Sequence, residues 1–174
     1  MKSNIKRAVI SLTTAGVAVG LAFVASTAMA SPGSHVGDPA LWGPALEALC
    51  DDPTLPAAQG YNLIEDPIDD PNDPNDDPFV GGLLEGTDGP DLILARSGND
   101  TVNAGGGNDV VCGSFGNDHL NGEGGNDALF GGGHHNTLRG GNGRDYLDGG
   151  GQLNECDGGN NADATGPGCD VVAP

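Results

Sequence analysis

Hydrophobic residues are sparse in the second half of the chain, yet they fall on a fixed grid. Starting at Ile93, every ninth residue is Ile93, Val102, Val111, Leu120, Leu129, Leu138, Leu147 and Cys156, and Thr165 closes the series. From Gly86 the sequence divides into nonapeptides without insertion or deletion: GTDGPDLIL, ARSGNDTVN, AGGGNDVVC, GSFGNDHLN, GEGGNDALF, GGGHHNTLR, GGNGRDYLD, GGGQLNECD and GGNNADATG. In each unit, positions 1 to 6 read as a turn and positions 7 to 9 as a short strand, with only position 8 facing inward. Two units then make one coil of two turns and two strands, and coils stack roughly 4.8 Å apart, as strands do in a parallel sheet. Residues 18 apart in sequence become vertical neighbours.

The first half has a different pattern. Lys2, Lys6 and Arg7 precede an apolar stretch over 8–28, followed by Ala28-Met29-Ala30 and Ser31-Pro32, which predicts a secretory signal peptide over residues 1–30 and an extracellular mature chain. An uncleaved membrane anchor is the rival reading, but Ser11, Thr13, Thr14, Gly16 and Gly20 dilute the stretch, and no later run is long enough to span. In residues 31–60, Leu41, Trp42, Ala45, Leu46 and Leu49 recur at near-helical spacing, predicting a short helix over 39–49 that caps an open end of the stack; a weakly ordered leader is the alternative. Residues 61–85 read as an acidic linker: Glu65, Asp66, Asp69, Asp70, Asp73, Asp76 and Asp77 alternate with Pro67, Pro71, Pro74 and Pro78. The glycine and distal glutamate of an EF-hand loop are missing there at the required offsets. Residues 167–174 form a C-terminal tail.

Composition sharpens this division. With 32 Gly, 12 Pro, 4% aromatic residues and a formal charge of -19, the chain lacks the makings of an ordinary close-packed core. Collagen needs glycine at every third position and disorder needs no period, so the nine-residue repeat excludes both. Loss of the signal peptide removes three of the six basic residues and no acidic ones, leaving 3 basic against 25 acidic groups, or -22. Such a surface repels nucleic acid and anionic membranes and attracts cations. Four cysteines in an exported chain favour disulfides, and of the three pairings Cys156 with Cys169 and Cys50 with Cys112 are preferred. The first would tie the last repeats to the tail, and the second would staple the N-terminal segment to the stack.

The candidate chemistry lies in the turns. Position 6 reads Asp91, Asp100, Asp109, Asp118, Asp127, Asn136, Asp145, Asn154 and Asp163, and position 4 is glycine at Gly89, Gly98, Gly107, Gly116, Gly125 and Gly143. These units resemble the RTX (hemolysin-type) family of calcium-binding nonapeptide repeats, Gly-Gly-x-Gly-x-Asp-x-U-x with U a large aliphatic residue. The resemblance covers residues 86–166 and implies an all-β fold, a right-handed parallel β-roll, with several Ca²⁺ ions held between stacked turns. The residues suit that ion. Aspartate carboxylates and turn carbonyls supply the six to eight oxygens that Ca²⁺ takes, and glycine lets the backbone approach. Zn²⁺ would want imidazole or thiolate, which the units do not supply regularly.

Stacking by 18 places Asp91, Asp109, Asp127, Asp145 and Asp163 in one column, and Asp100, Asp118, Asn136 and Asn154 in the other. At roughly 5 Å, like unit charges repel by about 0.8 kcal/mol even at water's dielectric constant, and a cation between them reverses the sign. The second column has aspartate on both sides only between Asp100 and Asp118, and units six and eight replace the position 4 glycine by His134 and Gln152. Weak or absent binding is therefore expected at Asn136 and Asn154. One aliphatic side chain per nine residues buries too little to offset chain entropy, so folding is expected to depend on calcium. No His-Glu-x-x-His or Gly-x-Ser-x-Gly constellation occurs, which points away from an enzyme. His134 and His135 read as a degenerate turn. Calcium-dependent adhesion to a cell wall or extracellular matrix is the alternative role, although the position 7 residues form no regular ladder.

Overall fold

The computed structural model describes residues 39, 44, 46–54, 60–66 and 81–172. The expected signal peptide, most of the segment before residue 46 and the linker residues 67–80 lie outside the described residues. Among those described, no helix is long and apolar enough to cross a membrane.

The fold is a β-solenoid of two six-stranded parallel sheets. Sheet 1 contains, in order, β1 (Asn62–Glu65), β3 (Asp91–Leu94), β5 (Val110–Cys112), β7 (Ala128–Phe130), β9 (Tyr146–Asp148) and β11 (Ala164–Thr165). Sheet 2 contains β2 (Leu83–Glu85), β4 (Thr101–Asn103), β6 (His119–Gly124), β8 (Thr137–Asn142), β10 (Asn154–Asn160) and β12 (Cys169–Val172). The chain alternates between the sheets, so each strand pairs with the strand two along. Val102 lies beside Leu120 and Val111 beside Leu129, the 18-residue register that the grid predicts. Between the sheets, Leu84, Ile93, Val102, Val111, Leu120, Leu129, Leu138, Leu147 and Cys156 form one continuous buried column, with Ile64 and Cys169 packed at its ends. Position 8 thus faces inward from Ile93 to Cys156, whereas Thr165 in the last unit is exposed. Burying each leucine, isoleucine or valine contributes about 1.5–3 kcal/mol.

Three features differ from the sequence reading. First, the solenoid is longer than residues 86–166. β1 and β2 lie in the segment read as a linker, and β12 lies in the tail, because each satisfies the exposed backbone groups of a neighbouring edge strand. Asn62 pairs with Asp91, 29 residues on rather than 18, so this first coil carries an insertion of 11 residues that breaks the sequence phase.

Second, the N-terminal helix covers a face of the roll, not its open end. Pro39, Pro44 and Leu46 are helical, and α1 (Ala48–Asp51) ends two residues beyond the predicted boundary. Leu46 and Leu49 are buried against the outer face of sheet 1, and Cys50 is disulfide-bonded to Cys112 on β5, the third of the six strands.

Third, the outward positions are not uniform. In sheet 1, Leu92, Leu94, Val110, Cys112, Ala128, Phe130 and Tyr146 form a second buried cluster with Leu46 and Leu49. In sheet 2, the equivalent residues Thr101, Asn103, His119, Asn121, Thr137, Arg139, Glu155 and Asp157 are exposed or half-buried, and the Asn121 amide donates to Asn103 Oδ1 at 2.9 Å. An apolar outer face needs a cover and a polar one does not, so the helix binds one sheet only. The second disulfide, Cys156 with Cys169, joins β10 to β12 and closes the C-terminal end; both bonds are the favoured pairings.

Candidate metal centre

Each turn is anchored by its position 6 side chain. In the odd-numbered units, the backbone N–H groups of Asp91, Asp109, Asp127 and Asp145 donate to Oδ1 of Asp109, Asp127, Asp145 and Asp163, each at 2.9 Å. In the even-numbered units, those of Gly82, Asp100, Asp118 and Asn136 donate to Oδ1 of Asp100, Asp118, Asn136 and Asn154 at 2.5, 2.9, 2.9 and 2.7 Å. One oxygen of every position 6 side chain is therefore fixed by the coil above. The other oxygen points into the turn. In Asp109, Asp118, Asp127 and Asp145 this Oδ2 is buried and accepts no hydrogen bond. A buried carboxylate oxygen without a partner is costly, so three stacked in one column and one in the other mark places built for a positive charge.

The glycines are required by that arrangement. At position 1, a Cβ on Gly113 or Gly122 would come within 2.5 Å of Oδ2 of Asp118 or Asp127. At position 4, Gly98, Gly107, Gly116, Gly125 and Gly143 have φ of 130°, 149°, 147°, 135° and 141°, a region that side chains rarely enter. A Cβ on Gly116, Gly125 or Gly143 would also collide with the carbonyl oxygen of Gly98, Gly107 or Gly125 in the preceding coil. Position 4 thus stacks bare carbonyls beside the carboxylates. Gly89 is the exception: its φ lies outside the left-handed region, and an added Cβ would meet only the Thr87 hydroxyl, at 3.8 Å.

The two columns differ in how their side chains are satisfied. Asn136 donates its amide to the carbonyls of Gly133 and Gly149 at 3.3 and 3.5 Å, and Asn154 donates to those of Gln152 and Gly168 at 2.6 and 3.1 Å. In these turns an amide N–H occupies the carbonyl oxygens that a cation would need. Unit six keeps the left-handed geometry at His134, φ 70°, whereas Gln152 in unit eight does not adopt positive φ. At the head of the other column, Asp91 is also engaged. Thr87 donates its N–H and hydroxyl to Oδ2 at 2.6 and 3.0 Å, and Asn62 donates to Oδ1 at 3.0 Å.

Electrostatics follow the same division. Burial, with a smaller contribution from the neighbouring aspartates, pushes Asp127 from its ordinary 3.8 up to about 9 and Asp109 to about 7. Asp145 rises to about 7, by burial and then by the charge of Asp163, and Asp118 to about 6, by burial and then by that of Asp100. Backbone N–H donation opposes each rise without cancelling it.

The residues fit a hard cation. Among the described residues, no three His, Cys, Asp or Glu side chains come together, so each gap offers at most two carboxylates, and backbone carbonyls must complete any coordination shell. An all-oxygen, mixed carboxylate and carbonyl set is the environment that Ca²⁺ takes. The model of the RTX calcium-binding nonapeptide repeat matches the chain in four copies, over residues 83–111, 113–133 and 130–164. This stretch is an RTX repeat array. RTX repeats imply calcium binding. The RTX match begins at Leu83, the first residue of β2, and so includes a strand from the segment read as linker. No curated protein and no solved structure matches the chain.

The RTX turns also contain a feature the sequence reading missed. Position 5 side chains stack as the aspartates do: Asn99 Oδ1 accepts from the Asn117 N–H at 2.8 Å, and Asn108 Oδ1 from that of Asn126 at 2.7 Å. The run of Asn-Asp pairs in units two to five was its signal. Arg144 and His135 end these ladders, their backbone N–H groups donating to Oδ1 of Asn126 and Asn117.

Proposed function

We propose that this is an exported, non-catalytic calcium-binding protein whose roll folds when calcium binds between successive turns. The carrying observation is the row of buried Oδ2 atoms on Asp109, Asp127 and Asp145, each held in place through Oδ1 and each without a hydrogen-bond donor. Calcium supplies two positive charges to a stack of like charges, turning repulsion into attraction. The residues do the rest. Backbone donation fixes the carboxylates in register, position 1 glycine leaves room for Oδ2, and position 4 glycine aligns the carbonyls.

Coupling to folding is supported by the inner core, which receives one large apolar side chain per unit, and by the burial of the aspartates, which disfavours their charged form in the absence of a cation. Export is supported by the basic and apolar pattern of residues 1–30 and by the two disulfides. Circular dichroism of the chain without residues 1–30, first in excess chelator and then along a calcium titration, tests the coupling. Strand signal should be small in chelator and rise cooperatively with calcium. Full strand signal in chelator at neutral pH would contradict it.

A further inference from the structure

The even column does not begin at Asp100. By strand register Gly82 occupies position 6 of the coil above: Leu83 lies beside Thr101, the Gly82 N–H donates to Asp100 Oδ1, and the Thr101 N–H donates to the Gly82 carbonyl, as His119 does to Asp100 one coil below. A position 6 glycine has no carboxylate. By the same register Asp66 occupies position 1, since Glu65 lies beside Leu94 and the Asp66 N–H donates to the Leu94 carbonyl, as Ala95 does to Cys112. In the repeats position 1 is glycine or alanine and position 6 carries the acid. Here the two are exchanged.

The exchange preserves the contact. In the repeats, a Cβ at position 1 would meet Oδ2 of the position 6 aspartate, at 2.5 Å for Gly113 and Asp118; in this coil, a Cβ on Gly82 would meet Oδ2 of Asp66 at 2.9 Å. Asp66 is 5% exposed, buried like most of the position 6 aspartates, although it lies beside an acidic, proline-rich segment that prefers water. Asp118, in the same column, carries a fully buried Oδ2 without a hydrogen-bond donor, so the N-terminal part of this row shares the unmet demand for positive charge of the odd row.

We propose that Asp66 supplies from position 1 the carboxylate missing at Gly82, adding a calcium position between Asp66 and Asp100 at the N-terminal end of the even column. This rests on the calcium reading of the array. It also makes the even column asymmetric: carboxylates face each other from Asp66 through Asp100 to Asp118, and amides follow at Asn136 and Asn154.

Calorimetry of the chain without residues 1–30 tests it with three proteins: the unaltered chain, Asp66→Asn, and the double variant Asp66→Gly with Gly82→Asp. The double variant returns the coil to the repeat arrangement, and Gly82 is not in the left-handed region, so aspartate is compatible with its backbone. Asp66→Asn should bind one calcium equivalent fewer, or bind one equivalent at least tenfold more weakly, and the double variant should recover it. Unchanged calcium stoichiometry and affinity in Asp66→Asn would overturn the proposal while leaving the calcium reading intact. So would a loss in Asp66→Asn that the double variant fails to restore. An unaltered chain that takes up no calcium would instead remove the reading on which the proposal stands.

Discussion

Odd and even units have the same nine-residue length and nearly the same inward side chains, yet they build different halves of the roll. The odd units stack five aspartates in their turns and present an apolar outer face that Leu46 and Leu49 cover. The even units pass from aspartate to asparagine and present a polar face bearing Thr101, His119, Thr137 and Glu155. A period of nine thus conceals a period of eighteen. The inward column constrains the units alike from Ile93 to Cys156, while the turn and the outer face differ between the halves: donor-less carboxylates and a covering helix on one side, self-satisfying amides and solvent toward the end of the other.

The largest contrast is expected from pH, because several odd-unit aspartates titrate together. Their folded pKa values lie above the ordinary 3.8, at about 7 for Asp109 and Asp145 and about 9 for Asp127. The metal-free fold then holds more protons than the unfolded chain, so its stability is greatest in acid and falls as pH rises from about 4, the ordinary carboxylate value, to about 9. In chelator, strand signal by circular dichroism should be larger at pH 5 than at pH 8, and saturating calcium should flatten the profile. Asp127→Asn should weaken the dependence more than Asp118→Asn, since Asp118 rises only to about 6. A signal that grows with pH in chelator would break the comparison.

Opening the Cys50–Cys112 bond should come next. Replacing both cysteines by alanine removes a link spanning 62 residues and releases the cover of sheet 1, which should cost about 2–4 kcal/mol in a denaturant titration at saturating calcium. A cap on the open end of the roll would have left the outer faces alike. Asp127→Asn should then raise the calcium midpoint by roughly 10- to 100-fold, the equivalent of one lost charge-assisted contact of about 1.5–3 kcal/mol. The smallest effect is expected from Asn136→Asp, which frees the carbonyls of Gly133 and Gly149 and adds an acid beside Asp118. It should add one weak calcium equivalent by calorimetry and lower strand content in chelator.

Much of this was legible in the sequence, and the exceptions have physical reasons. Position 8 is governed by one requirement, burial between two sheets, so the nine-residue grid alone placed Ile93 through Cys156. The aspartate columns followed from the 18-residue stacking, and both disulfides are the pairings preferred among the three that four cysteines allow. Positions 7 and 9 answer to a neighbour outside the repeat, so Leu92, Val110, Ala128 and Tyr146 looked irregular until they were separated from Thr101, His119, Thr137 and Glu155. β1 was hidden because its 11-residue insertion shifts Asn62 out of phase, and Asp66 because it performs a position 6 role from position 1. The weak binding expected at Asn136 and Asn154 was read from missing charge. The structure adds that their amides bind the turn carbonyls directly.

The division between columns is tested most directly by a structure determined at saturating calcium, with ion occupancy in each gap taken from anomalous scattering. Full occupancy is expected between Asp109 and Asp127 and between Asp127 and Asp145, with little or none from Asp118 to Asn136 and from Asn136 to Asn154. Equal occupancy of all four gaps would contradict the account.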